Sequence, residues 1–160
     1  LERKKIKNIP TFFGIQAENS APLVDGKIIE NPSTVATAIR IGNPASSDLA
    51  KEAVNDSQGE FLKVSDEEII SAQSLIAKHE GIFCEPASAA SFAGLLKKIN
   101  NGLDVKNKKI VCILTGNGLK DPENAQKYLK SKIIKTSSSS ESIKKAILSG
   151  SSTNIFKRMF

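Results

Sequence analysis

The chain has no tryptophan, one tyrosine, one histidine, one methionine and two cysteines in 160 residues. Each scarcity narrows what the protein can do. With no tryptophan and Tyr128 alone, stacking platforms for single-stranded nucleic acid are poorly supplied. Cys84 and Cys112 each sit inside an apolar run, without the paired spacing of a zinc site. They read as free thiols that serve as small core residues. His79 has no motif partner for a nucleophilic triad or a metal site. Just ahead of Gly81, it suits the C-terminal end of a helix dipole. No run is long and apolar enough to span a membrane. No signal peptide is visible, and the chain opens on Leu1, so the true N-terminus is expected to lie upstream.

What is present is ordinary for a globular domain. Hydrophobic residues make up 39% and charged residues 25%, and the length suits one domain or part of a larger one. The formal charge is +6. A solvated lysine-rich surface accounts for it more simply than a base-reading patch, which usually comes with aromatic or helix-turn-helix context. No nucleic-acid or membrane partner is therefore expected.

Along the chain, short apolar runs alternate with helical patterns. Thr11–Ala17 and Glu60–Val64 read as strands, and Lys109–Leu114 as a third. Lys132–Lys135 is a further strand candidate. Asn31-Pro32 offers a cap and a first-turn proline for a short helix ending at Arg40. Glu18–Glu30 reads as loop, and Ala45–Asn55 as the next helix. Ser65-Asp66-Glu67-Glu68 is a capping box, opening a helix that Gly81 stops. Pro86 opens a helix of small residues, in which four alanines and Gly94 permit close approach. Asp121-Pro122 starts another helix, to about Lys130. The serine run Thr136–Ser140 reads as a flexible link before a helix at Glu141–Leu148 and a frayed end. This order predicts an α/β fold, a three-layer αβα arrangement with a largely parallel sheet. In such sheets ligands bind at the carboxyl ends of the strands.

One of those ends is IVCILTGNGLKDP, Ile110–Pro122. Thr115 puts a hydroxyl where the strand gives out, able to bond a ring nitrogen or an oxyanion. Gly116 and Gly118 remove side chains, so a flat ligand or a phosphate can approach the backbone. Equally, a strand-to-helix turn can simply need glycine. The stretch is neither a Walker loop nor a dinucleotide fingerprint. In TAIRIGNPAS, Thr37–Ser46, Arg40 can fork onto a carboxylate or phosphate, or pair with a surface acid. In FCEPASAAS, Phe83–Ser91, Glu85 stands between apolar residues at a helix start, where it either faces a ligand or caps locally.

Together, TAIRIGNPAS, GIFCEPASAASFAGLLK and ILTGNGLKDP, in this order and spacing, closely resemble the threonine synthase family. Its members are pyridoxal-phosphate enzymes of the tryptophan-synthase β fold group (fold type II). GIQAENSAPLV and the VSDEEI helix start are similar too, so the resemblance runs from about Ile9 to Leu129. It implies pyridoxal 5'-phosphate as cofactor and conversion of O-phosphohomoserine and water to L-threonine and phosphate. It implies that Thr115 bonds the pyridine nitrogen and that Gly116 lies against the ring. Ile41, in the stretch Ile41–Ala45, would line the ring's other side, and Glu85 belongs to the cofactor-binding set. A hydroxyl at the nitrogen leaves the ring nearly neutral, where a carboxylate would keep it protonated.

The resemblance also marks departures. The Schiff-base lysine of the family sits in an S-F-K-D-R context that this sequence lacks, and Lys120 in L-K-D-P is in the wrong place. The glycine-rich phosphate loop is absent as well. No catalytic residue is therefore assigned here, and the chain alone is expected to be inactive. Residues 1–130 are expected to be the C-terminal part of the large domain, and 131–160 an extension. An exposed sheet edge, and with it poor solubility, is the further expectation. Asn117 stands where the family commonly has histidine. The full-length parent is expected to be a cytoplasmic homodimer. A serine or threonine dehydratase of the same fold group, or a non-catalytic binding remnant, are the alternatives.

Overall fold

The computed structural model describes residues 8–121, Lys127 and residues 134–150. The chain forms two compact units, Leu1–Tyr128 and Leu129–Phe160. In the first, β1 (Phe13–Ala17) and β2 (Glu60–Val64) pair in parallel, in register from Phe13 opposite Glu60 to Ala17 opposite Val64. Parallel strands need a crossover connection. Here it carries α1 (Pro22–Asp25), a 3-10 turn at Thr37–Ile39 and α2 (Ser47–Asp56). After β2 come α3 (Asp66–Glu80) and α4 (Pro86–Asn100), then a 3-10 turn at Gly118–Lys120. The second unit contains α5 (Ser140–Gly150), whose first turn is capped by the Ser139 hydroxyl accepting from Ser142 N at 3.3 Å. No helix among the described residues is long and apolar enough to cross a membrane.

The architecture is α/β with a parallel sheet, as the alternation of patterns predicts. The core lies where β1 and β2 end. Ala17, Val64, Ile69, Ala72, Cys84, Ala89 and Ala93 are buried there. Its small side chains bring α4 onto the strands: a Cβ at Gly94 would overlap the Ile15 side chain. The capping box is fully formed. Glu68 N donates to Ser65 Oγ at 3.2 Å, and Ser65 N donates to Glu68 Oε2 at 2.7 Å. Gly81 ends α3 in the left-handed conformation.

Three expectations are revised. The helix read from Asn31 to Arg40 shrinks to the turn at Thr37–Ile39. The Thr34 hydroxyl donates to Asp66 Oδ1, Val35 N donates to Asp66 Oδ2 at 3.1 Å, and Ala36 N donates to Thr34 Oγ1 at 3.1 Å. These side-chain bonds take the backbone donors a helix would need. The stretch read as loop contains α1, because Gln16 Oε1 accepts from Leu23 N at 2.9 Å while Pro22 occupies the first turn.

The third strand, Lys109–Leu114, does not enter a ladder among the described residues. Its alternation survives: Val111 and Ile113 are exposed, while Cys112 and Leu114 are partly covered. A strand is maintained by a hydrogen-bonded neighbour. Here a groove of about 220 Å³, lined by Phe12, Phe13, Ile15, Leu95, Val111 and Ile113, lies between this segment and β1. The expected helix to Lys130 and the strand at Lys132–Lys135 fall mostly outside the described residues.

Replacing Ser65 by alanine removes one half of the capping box, at a cost of about 1 kcal/mol. Amide exchange in the first turns of α3 should then run about 5-fold faster. Unchanged exchange would show that the box adds no stability.

Candidate functional site

Two antiparallel-facing segments meet at the amino end of α4. Cys84 and Asn117 form an antiparallel bridge. Glu85 N donates to Gly116 O at 3.0 Å, and Gly118 N donates to Phe83 O at 3.1 Å. The Glu-Pro sequence sets this up: Glu85 is extended (φ −70°, ψ 158°), as the residue before proline tends to be, and Pro86 starts the helix.

Ser88, in the first turn of α4, is 1% exposed and is the hub of the junction. Gly116 N donates to Ser88 Oγ at 2.7 Å. Ser88 Oγ lies 3.1 Å from Gly116 O and 3.2 Å from Thr115 Oγ1. One turn on, the Ser91 hydroxyl reaches Ile113 O at 3.3 Å. Residues three apart share a helix face, so α4 presents two hydroxyls that hold Ile113–Gly116 along it. Thr115 itself is exposed.

Glu85 is 5% exposed, and its carboxylate packs directly on Gly116. A Cβ at Gly116 would fall inside that carboxylate, so any larger residue there would displace the Glu85 side chain. The side chain makes no capping bond to α4, which removes the local-capping reading of Glu85. Asn117, in contrast, caps: its Oδ1 accepts from Leu119 N at 2.9 Å and starts the Gly118–Lys120 turn.

Ile41 belongs to a second node. Ser20, fully buried, accepts from Ile41 N at 2.9 Å, and its hydroxyl lies 3.1 Å from Ile39 O and 3.3 Å from Ile41 O. Ile41 is half exposed and Arg40 exposed. The two nodes are tied by Thr37 Oγ1 donating to Asp121 Oδ2 at 3.1 Å. Thr115, Gly116 and Glu85 thus come together, with Ile41 on a linked but separate loop. Ser88 and Ser20 escaped the sequence reading. For Ser88, a hydroxyl among the alanines of a helix was the available signal, since a buried hydroxyl must find a partner.

A pattern described as "Pyridoxal-phosphate dependent enzyme" matches residues 2–116. The chain belongs to that family. Its matches include threonine synthase of Mycobacterium tuberculosis (strain ATCC 25618 / H37Rv), 53% identical over 126 residues, or 79% of this chain and 35% of that protein. Threonine synthase of Methanocaldococcus jannaschii is 48% identical over 128 residues, 75% of this chain and 32% of that protein. The chain therefore spans about a third of the length of these curated relatives. Among solved structures, a fungal L-serine ammonia-lyase from Rhizomucor miehei superposes with TM-score 0.57 at 23% identity, over 77% of this chain and 42% of that one. Maize serine racemase gives TM-score 0.54 at 22% identity, over 73% and 37%. These two likenesses speak to the fold alone, which for this family is α/β with a parallel sheet.

Desolvation by burial is the first cause that raises the pKa of Cys84 and of Cys112. Both therefore stay protonated to higher pH than an unhindered cysteine. A folded-state pKa above the unfolded one gives stability that is complete below the unfolded value and lost as pH climbs through the folded one. Alkylation should reach Cys112, which is partly exposed, before buried Cys84, and its rate should inflect above that of a free thiol. Free-cysteine behaviour at Cys112 would contradict this burial.

Proposed function

We propose that this chain supplies the ring-nitrogen side of a pyridoxal 5'-phosphate site, in an enzyme that converts O-phosphohomoserine and water to L-threonine and phosphate. The observation that carries the reading is the junction at α4. An exposed hydroxyl, Thr115, is held by Ser88 beside a glycine whose missing side chain leaves room against Glu85. The fit is chemical as well as steric. Thr115 offers a neutral hydroxyl, Gly116 a backbone without a side chain, and Glu85 a buried side chain at the head of α4. The 53% identity to a threonine synthase supports the choice of reaction.

When bound, the cofactor supplies an electron-withdrawing ring that stabilises negative charge at the substrate's carbons. The residues of this chain orient that ring. Thr115 sets the position of its nitrogen without fixing a proton there, as a carboxylate would. Gly116 would lie against the ring, and Ile41 would line its other side from the loop pinned by Ser20. Turnover needs a cofactor-anchoring lysine in the S-F-K-D-R context and a phosphate loop, and the 160 residues contain neither. Residues 1–130 in this reading are the C-terminal part of the large domain, and 131–160 an extension. The full-length enzyme would be a cytoplasmic homodimer acting on a small molecule.

Incubated with O-phosphohomoserine and pyridoxal phosphate, the chain should give no sustained phosphate release, and sustained release would refute its assigned inactivity. The site itself is tested with pyridoxine 5'-phosphate, which has no aldehyde to condense with surface lysines. Thr115→Val should weaken its binding about 5- to 10-fold. Equal affinity in both proteins would remove Thr115 from the site.

A further inference from the structure

Two rows of backbone groups without partners face one another across a trough. β1 bonds β2 through alternate residues: Phe12 O accepts from Glu60 N at 3.3 Å, and Glu18 N donates to Val64 O at 2.8 Å. Backbone groups along a strand point to its two sides in turn, so those of Phe13 and Ile15 point away from β2. Among the described residues the sheet stops there. Lys109–Leu114 forms the far wall. Among the described hydrogen bonds none uses a backbone N–H of this segment, and of its carbonyls only Ile113 O is reached, by Ser91 at 3.3 Å. Apolar side chains go with these rows: Phe12, Phe13, Ile110, Val111 and Ile113 are between 39% and 84% exposed.

The trough is continuous. The groove of about 220 Å³ has Phe12, Phe13 and Ile15 on one wall, with Val111 and Ile113 on the other. A second, of about 410 Å³, is lined by Pro10 and Thr11 together with Lys108, Lys109 and Ile110. Thr11, Phe13 and Leu95 line both. The earlier residues of each wall thus share one groove and the later residues the other, so the walls run in the same direction. Ser88 and Ser91 hold the end of the far wall on α4, apart from β1.

We propose that this trough is a docking slot for one β-strand, parallel to β1, that pairs with Phe13 and Ile15 on one side and with Lys109–Leu114 on the other. The occupant is an extended segment of the same enzyme, from the portion that precedes these residues. That assignment rests on the reading of residues 1–130 as the C-terminal part of a larger domain. The backbone decides the class of occupant. A small molecule would leave both rows unpaired, and a helix bonds its own backbone. An extended strand offers donors and acceptors to both sides at once. It needs about five residues, the length of β1, with apolar or small side chains alternating onto Leu95 and Ser91. This chain spans about a third of its curated relatives, so the greater part of such an enzyme can supply the segment.

Amide exchange, read residue by residue, tests it. In the free chain Phe13, Ile15 and Ile110–Leu114 should exchange fast, while Gly14 and Gln16, turned toward β2, stay slow. The first probe is an eight-residue peptide of alternating threonine and valine, with a lysine added at each end for solubility. It should slow the fast set about 10-fold or more and leave the slow set unchanged. A proline at its centre removes a donor and should weaken binding about 5- to 10-fold. No protection overturns the slot, and so does protection of one wall alone, which would show only a sticky edge. Overlapping twelve-residue peptides from the Mycobacterium tuberculosis threonine synthase, covering the part outside its 126 matched residues, then test the occupant. One of them should protect both walls at lower concentration than the first probe. If the threonine–valine peptide seats and none of these does, the slot stands, while the assigned occupant and the larger-domain reading fall. A free chain that sediments as a dimer, with both walls already protected, would put a second copy in the slot and overturn the assignment.

Discussion

The contact on which the rest of the site depends is the pair of serine hydroxyls, Ser88 and Ser91, that α4 presents to Ile113–Gly116. A segment of this kind is normally positioned by a sheet ladder on each side. Here the helix beneath it takes that part. Ser91 reaches a carbonyl, and one helical turn away Ser88 accepts from an amide and lies within hydrogen-bond distance of a hydroxyl. The position of Thr115 is therefore set by the rigid body of α4, not by a loop of its own. Side chains that act on a ligand are placed more accurately by a helix than by a free turn.

That arrangement constrains its surroundings. On the opposite face of α4, Ala89, Ala90 and Ala93 are almost wholly buried in the core. A Cβ at Gly94 would meet Ile15 of β1, and one at Gly116 would meet Glu85. Buried hydroxyls and small apolar groups thus coexist without unsatisfied polar side-chain atoms: among the described residues none is buried without a partner.

The crossover shows the same competition between local and distant bonds. Asn-Pro followed by Ser-Thr-Val-Ala is a respectable helix start. Asp66, from the first turn of α3, nevertheless draws Thr34 and Val35 to itself. The cost to helix formation is small, because β-branched residues favour the helix weakly. The gain is a fixed path for the chain toward Thr37, whose hydroxyl then meets Asp121. In this way the chain just ahead of Arg40 is tied to the loop after Thr115, through Asp121, 84 residues from Thr37 in sequence.

How much of this was legible beforehand depends on the range of the interaction. β1, β2, α3 and α4 followed from local rules: apolar runs, a Ser-x-x-Glu box, a proline at a first turn, a glycine at an end. Each is decided within a few residues, so the chain itself determines it. The stretches that carry Thr115, Gly116 and Glu85 were readable as motifs of a family, and the family match over residues 2–116 agrees with that resemblance. Three things were decided only by tertiary structure. The Asn31–Arg40 helix gave way to Asp66, 32 residues from Thr34. Strand Lys109–Leu114 kept its alternation but not its ladder, because pairing requires a neighbour that no local pattern supplies. Ser88 looked like one small residue among alanines. It became the hub because folding removed it from water and left Thr115 and Gly116, 27 and 28 residues away, as its partners.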